Sequence, residues 1–325
     1  MNRRSFLGVL GGLTLTGGLA ARGQILPRRL GAITPGAPLA PDSPRGSALL
    51  GGLAKRGYRL GQNLVYETRG AGGKIGQIPD LLEELKAAHV EVVVTVGYPT
   101  AVAAKAVQLP TVLASGAGDP VATGLVQTFA HPGGTVTGIS DDAAMLSTKR
   151  LGLLTELSPR PRRIAMLWNR DDLAMSLRFE ASQKAARDIG VSVQALGVRE
   201  PNDFDEAFLA MEQQTPDAIL MVSDSLTLLN RKRVIDFARQ RKLPAIYEAD
   251  TIVREGGLMS YGADERESFD RAASFVQRIF EGEAPANLPF EQPNRYLFVI
   301  NLKIAKAMNL AVPNTLLAFA DEVIE

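Results

Sequence analysis

The chain has 325 residues, room for two domains of ordinary size, and 46% of them are hydrophobic, enough to build a core. Charge is nearly balanced, with 36 Lys+Arg against 35 Asp+Glu, so no basic excess points to nucleic acid as a partner. The absence of cysteine excludes disulfides, thiolate metal sites, a cysteine nucleophile and a lipid-modified cysteine anchor.

The first stretch, MNRRSFLGVLGGLTLTGGLAAR, has a basic start, an apolar middle and a small-residue end. That is the layout of a secretory signal peptide. Its apolar part, Phe6 to Leu19, is too short and too rich in glycine to span a membrane. Arg3-Arg4 followed by Ser5-Phe6-Leu7 looks like a twin-arginine export address. Residues 1–21 are therefore expected to be removed, with cleavage near Ala20 or Ala21, and the mature protein to be periplasmic. No other segment is long and apolar enough to cross a bilayer.

From Leu30 onward, short apolar runs alternate with helical patterns. Strands are predicted at 30–34, 63–68, 91–96, 111–114 and 135–139, and in a second series at 163–168, 191–198, 217–222, 244–247 and 257–261. Between them, Leu81, Leu82, Leu85 and Ala88 share one helical face. Phe204, Ala207, Phe208 and Met211 share another, and Phe269, Ala272, Ala273, Val276, Ile279 and Phe280 a third. These stripes read as core faces. Alternating strand and helix predicts α/β architecture with parallel sheets, and two such series predict two lobes with a seam near GGTVTGISDD.

Several predicted strands end in small, polar or turn-forming residues: Thr34-Pro35-Gly36, Gly97-Tyr98-Pro99, Gly116 to Pro120, Trp168-Asn169 and Ser223-Asp224-Ser225. Open parallel sheets bind ligands outside the carboxyl ends of their strands, where glycine admits backbone and short polar side chains supply hydrogen bonds. For any single such loop, turn and helix-cap requirements are the favoured reading; five loops on two lobes point to a shared cleft.

Catalytic chemistry is hard to find. The two histidines, His89 and His131, have no second ligand at metal spacing. GAGGKIG at 70–76 lacks the spacing of a phosphate loop. Asp141-Asp142 and Asp171-Asp172 stand at helix starts, where acids cap free N–H groups. No cofactor is implied, and two lobes, a cleft and an export signal describe a binding protein.

Several segments together carry a resemblance: LAKRGYRLGQNLVYE, IPDLLEELKAAHVEVVVTVGYPTAVAAK, GDPVATGLVQTFAHPGGTVTGIS, KRLGLLTEL, LPAIYEADTIVREGGLMSYG and INLKIAKAMNLAVPNTLLAFADEVIE. They resemble the ABC-transporter substrate-binding proteins of the tryptophan/tyrosine-binding type. The resemblance implies a two-lobed periplasmic-binding-protein fold of type I-like form, its Rossmann-like lobes joined by several crossing segments. It implies a first lobe of 29–139 plus 259–284 and a second of 140–258 plus 285–325. It also implies a monomer that carries a small organic ligand, amino-acid-like or aromatic, to a membrane permease. The family usually has a small Ser or Thr where this chain has Tyr98.

An amino-acid ligand needs an acceptor for its ammonium and donors for its carboxylate. Asp119, between Gly118 and Pro120, is the first candidate acceptor, with an N-cap as its other reading; Asp224 and Glu248 come next. Thr34, Ser140 and Ser223 are candidate donors, with Pro35, Gly97, Pro99 and Gly118 shaping the loops and Asn169 reaching the cleft. Tyr98, Tyr247 and Tyr261 are candidates to stack on a flat ligand, or else half-buried packing residues. Two other readings use the same cleft, a ligand sensor that docks on a receptor and a two-lobed α/β enzyme.

Overall fold

The computed structural model describes residues 26–116, 118–140, 143–157 and 161–325. The expected signal peptide, 1–21, and the pair Asp141-Asp142 lie outside the described residues.

The first lobe is built on β1 (Arg28–Thr34), β2 (Leu64–Gly70), β3 (Val92–Val96), β4 (Thr111–Ser115) and β5 (Val136–Gly138). They form a parallel sheet in the order β2-β1-β3-β4-β5. Runs such as VVVTV at Val92–Val96 are apolar at consecutive positions because helices cover both faces of the sheet. Those helices are α1 (Pro44–Lys55), α2 (Ile78–Ala87) and α3 (Tyr98–Ala106). Ser43 starts α1 by accepting from Gly46 N at 3.1 Å, with Pro44 at the first helical position.

The second lobe contains α4 (Ala143–Leu157), β6 (Arg163–Asn169), α5 (Leu173–Asp188), β7 (Ser192–Val198), α6 (Asp203–Gln213) and β8 (Ala218–Met221). It continues with α7 (Ser225–Leu229), α8 (Arg231–Arg241), β9 (Ala245–Tyr247), α9 (Asp250–Arg254) and β10 (Met259–Ala263). Two late strands, β11 (Tyr296–Asn301) and β12 (Glu322–Ile324), complete a sheet of order β12-β11-β10-β9-β8-β6-β7.

The strands read from the sequence are all present, but β11 and β12 are not among them. β11 pairs antiparallel with β10, so the second sheet is mixed where a parallel one is expected. Between β10 and β11 the chain returns to the first lobe as α10 (Glu265–Phe280), whose stripe Phe269, Ala272, Ala273 and Val276 is fully buried there with Leu30, Leu53 and Val94.

Two lobe boundaries move accordingly. Residues 259–263, expected in the first lobe, are β10, held in the second sheet by ladders to β9 and β11. Residues 285–291, expected in the second lobe, stay with the first: Phe290 N donates to Phe129 O at 2.7 Å, and Thr137 Oγ1 to Leu288 O at 2.7 Å. The crossing segments are tied to one another. Ser140 N donates to Glu291 O at 2.9 Å, and Asp264 N to Arg295 O at 3.0 Å.

Candidate functional site

A cavity of about 120 Å³ lies between the two sheets, beside a larger cleft of about 1040 Å³ with which it shares Arg45, Val96, Ser225, Leu228 and Glu265. From the first lobe its wall takes Val96, Gly97 and Pro99 at the end of β3 and just beyond it, and Ala114 to Gly116 at the end of β4. The second lobe contributes Arg150 of α4, the start of α5, Ser223 to Ser225 after β8, and Glu248-Ala249 after β9. These are carboxyl ends of strands, where open sheets bind. The backbone comes close here: a Cβ on Gly116, whose φ is +81°, would stand 3.2 Å from Gly97 Cα. Arg45 and Glu265 line both spaces and form a two-pronged ion pair at 2.8 and 2.6 Å where the cavity meets the cleft.

The charged groups of the wall form two sets. In one, Glu248 accepts from Arg150 Nη1 at 2.7 Å, from Arg178 Nη1 at 3.0 Å and from Ser223 N at 3.2 Å. Arg150 is 2% exposed and Arg178 3%, so these charges persist inside only because they are paired. Arg150 Nε also donates to Tyr261 O at 2.7 Å.

The other set is Asp172 and Asp224. Asp172 caps α5, accepting from Ala174 N at 2.9 Å and Met175 N at 3.3 Å. Asp224 caps α7 through Thr227 N at 2.8 Å and also accepts from Asn169 Nδ2 at 2.5 Å. Burial, then the charge of Asp224, pushes the Asp172 carboxyl up to about 6 against its backbone hydrogen bonds and Arg178. Burial likewise raises Asp224. Nearby, the Ser223 hydroxyl is buried with no hydrogen-bond partner among the described residues.

Of the residues expected from the sequence, Gly97, Pro99, Ser223, Asp224 and Glu248 meet on the cavity wall, and Asn169 holds Asp224 from behind. Thr34 and Pro35 line the larger cleft. Asp119 is not on the wall; it is exposed and accepts from Val121 N at 2.8 Å and Ala122 N at 3.0 Å, the geometry of a cap. Ser140 is buried in a crossing segment, and its hydroxyl donates to Gly118 O.

None of the three tyrosines lines the cavity. Tyr247 is 1% exposed in the core around Phe204 and Ile219, where burial raises its phenol. Tyr261 stacks on Tyr296 with ring centres 6.2 Å apart. Tyr98 lies between the lobes, its O–H donating to Thr123 O at 3.3 Å. The apolar part of the wall is instead aliphatic, with Val96, Ile139, Met175 and Leu228.

Sequence reasoning passed over Arg150 and Arg178, and took Asp172 for a cap alone. One signal was present: Arg178 falls on the buried face of α5 with Ala174, Met175, Ser182 and Ala185. An arginine in such a row needs a carboxylate partner.

Two α/β lobes joined by hydrogen-bonded crossings, with a charged cavity at the strand ends between them, define a ligand-binding protein of the two-lobed periplasmic-binding-protein fold. The sequence pattern of the ABC transporter substrate binding protein family matches residues 45–324, and the chain belongs to that family. A tyrosine-binding protein of Clostridioides difficile is 22% identical over 259 residues, covering 79% of this chain and 74% of the relative. Among solved structures, an ABC domain in complex with L-Trp from Streptococcus pneumonia superposes with a TM-score of 0.84 at 24% identity, over 92% of this chain and 100% of that one. A conserved domain protein of Vibrio cholerae superposes equally well, with a TM-score of 0.84 at 25% identity, over 91% and 99% of the two chains.

Proposed function

We propose that this protein is an extracytoplasmic solute-binding protein that captures one small amino-acid-like ligand in the interlobe cavity and delivers it to an ABC permease. The observation that carries the reading is the pairing of unlike sites on one wall. Asp172, buried, and Asp224, half-buried, are carboxylates whose ionised forms are disfavoured, and a ligand ammonium between them relieves that penalty. The buried Ser223 hydroxyl and the arginines held by Glu248 face the same space and suit a ligand carboxylate. The aliphatic part of the wall then receives the ligand side chain. The tyrosine-binding relative and the structure solved with L-Trp support an amino acid as the ligand.

Export to the periplasm is part of the same reading, supported by the N-terminal basic, apolar and small-residue order. Among the described residues no helix is long and apolar enough to cross a membrane. Lobe closure around the ligand shifts an open–closed population, and the closed form is what a permease reads.

Native mass spectrometry of purified protein, followed by thermal melts with each proteinogenic amino acid, tests the proposal. A ligand that binds only the folded state raises the melting temperature. If no amino acid stabilises the protein and a cleft-dependent turnover is found, the enzyme reading replaces it.

A further inference from the structure

Tyr98 opens α3 in the first lobe, and its neighbours Gly97 and Pro99 line the cavity while its own ring does not. On its own side the ring packs on the cluster of Ala101, Leu113, Leu125 and Phe290. On the other side it packs on the core of the second lobe, the cluster that includes Ala174 and Met175. Among the described residues, it is the one partly buried hydrophobic side chain of the first lobe that packs on a core cluster of the second.

Two further contacts fall at the same place. The phenol donates to Thr123 O at 3.3 Å, which ties the ring to the loop after β4. Burial raises the phenol pKa most, and the charge of Asp172 raises it further, so that carboxyl lies within electrostatic reach. The loop itself comes close to α5: a Cβ on Gly118 would stand 3.4 Å from Ala174 Cβ and 3.5 Å from Ala174 O. With φ at +62°, Gly118 also holds a backbone shape that other residues rarely adopt.

The segment that Gly118 approaches, and whose capping carboxyl acts on the phenol, is the first turn of α5 with its cap, and it supplies Asp172 and Met175 to the cavity wall. We propose that Tyr98 is a clasp between the lobes, a positioning residue that docks the start of α5 on the first lobe and so assembles the ligand cavity on closure. The inference rests on the binding-protein reading. It predicts that Tyr98 sets the closed population, and through it the affinity for every ligand alike, without touching the ligand.

The chain has no cysteine, so two introduced cysteines can be spin-labelled cleanly. Glu83 and Lys184, on α2 and α5, have side chains 59% and 74% exposed and suit the purpose. Distance distributions of the unliganded Glu83→Cys, Lys184→Cys protein are compared with those of the same protein carrying Tyr98→Phe or Tyr98→Ser. The phenylalanine variant is expected to keep the short-distance population. The serine variant is expected to lose about tenfold or more of it. If Tyr98→Ser does not fold, Tyr98→Leu, which keeps apolar bulk but not the reach of the ring, takes its place with the same expectation. Distributions that coincide for wild type and the truncated variant overturn the clasp. Because no ligand is added, that failure is separate from a failure to bind amino acids. In a second measurement, L-tyrosine and L-tryptophan should lose affinity by the same factor in Tyr98→Ser; a change in their ratio would place the ring against the ligand instead.

Discussion

Replacing Asp172 by Asn separates the two things its carboxyl does. As a cap the amide is nearly equivalent, because Asn accepts from the N–H groups of Ala174 and Met175 as Asp does. What is lost is a charge that the site disfavours. The Asp172 carboxyl rises from the ordinary 3.8 to about 6, and at 5% exposure little solvent screens it. Two units at about 1.36 kcal/mol each make close to 3 kcal/mol of penalty in the unliganded protein at neutral pH. The sign follows from proton counting. Between pH 4 and 6 the folded state holds a proton that the unfolded state has released, so stability falls as pH rises through this window and stays reduced above it.

The amide of the Asp172→Asn variant does not titrate, so it contributes no such slope. The rise is already net of the helix start, whose two N–H groups favour the charge. Asp172→Asn should therefore be more stable than wild type by about 2–3 kcal/mol at pH 7.5, and no more stable at pH 4. Denaturant unfolding at both pH values measures this. The same substitution removes a charge-assisted bond to a ligand ammonium, so affinity for an amino-acid ligand should fall about 10- to 100-fold by calorimetry. A variant less stable than wild type at pH 7.5, or one with the same difference at both pH values, refutes the reasoning.

Three other substitutions or measurements bear on the same picture. Asp119→Asn should leave both stability and ligand affinity nearly unchanged, while Asp119→Ala should lower stability by about 1 kcal/mol through the lost cap; a tenfold loss of affinity in the Asn variant would return Asp119 to the site. Glu248→Ala should destabilise by about 3–5 kcal/mol in urea titrations, because it strips a buried carboxylate from Arg150 and Arg178; a loss under about 1 kcal/mol would show that the pair contributes little. N-terminal sequencing of protein from the periplasmic fraction should begin near Ala21 or Arg22, and a retained Met1 there would count against cleavage.

Much of the fold was legible because local rules and tertiary structure agree. The stripe Phe269, Ala272, Ala273, Val276 states its helical period plainly, and the run VVVTV at Val92–Val96 its covered strand; the stripe and Val92 to Thr95 are buried. β11 was not legible, because it follows the loop after α10 and pairs antiparallel with a strand whose other neighbour is parallel. Ladder partners are a property of the sheet, and nothing in YLFVIN names them. For the same reason β10 reads equally well as a strand of either lobe, and only its hydrogen bonds to β9 and β11 assign it.

The site divides along a similar line. The polar endings of the strands depend on local chemistry, so Gly97, Pro99, Ser223 and Asp224 were found by looking for loops that admit a ligand. Asp119 and Tyr247 fit the same local description, yet one caps an exposed turn and the other lies in the core. Which side of a loop faces the cavity depends on how two lobes pack, and no spacing in the chain encodes it. Arg150 and Arg178 stand 98 and 70 positions from Glu248 in sequence and meet it at 2.7 and 3.0 Å. The sequence alone determined the periodicities, the caps and the basic, apolar, small-residue order of the N-terminus, because each depends on neighbours within a few residues. The charge cluster, the lobe boundaries and the place of Tyr98 between the lobes were decided by the tertiary structure, because they depend on contacts between segments that only folding brings together.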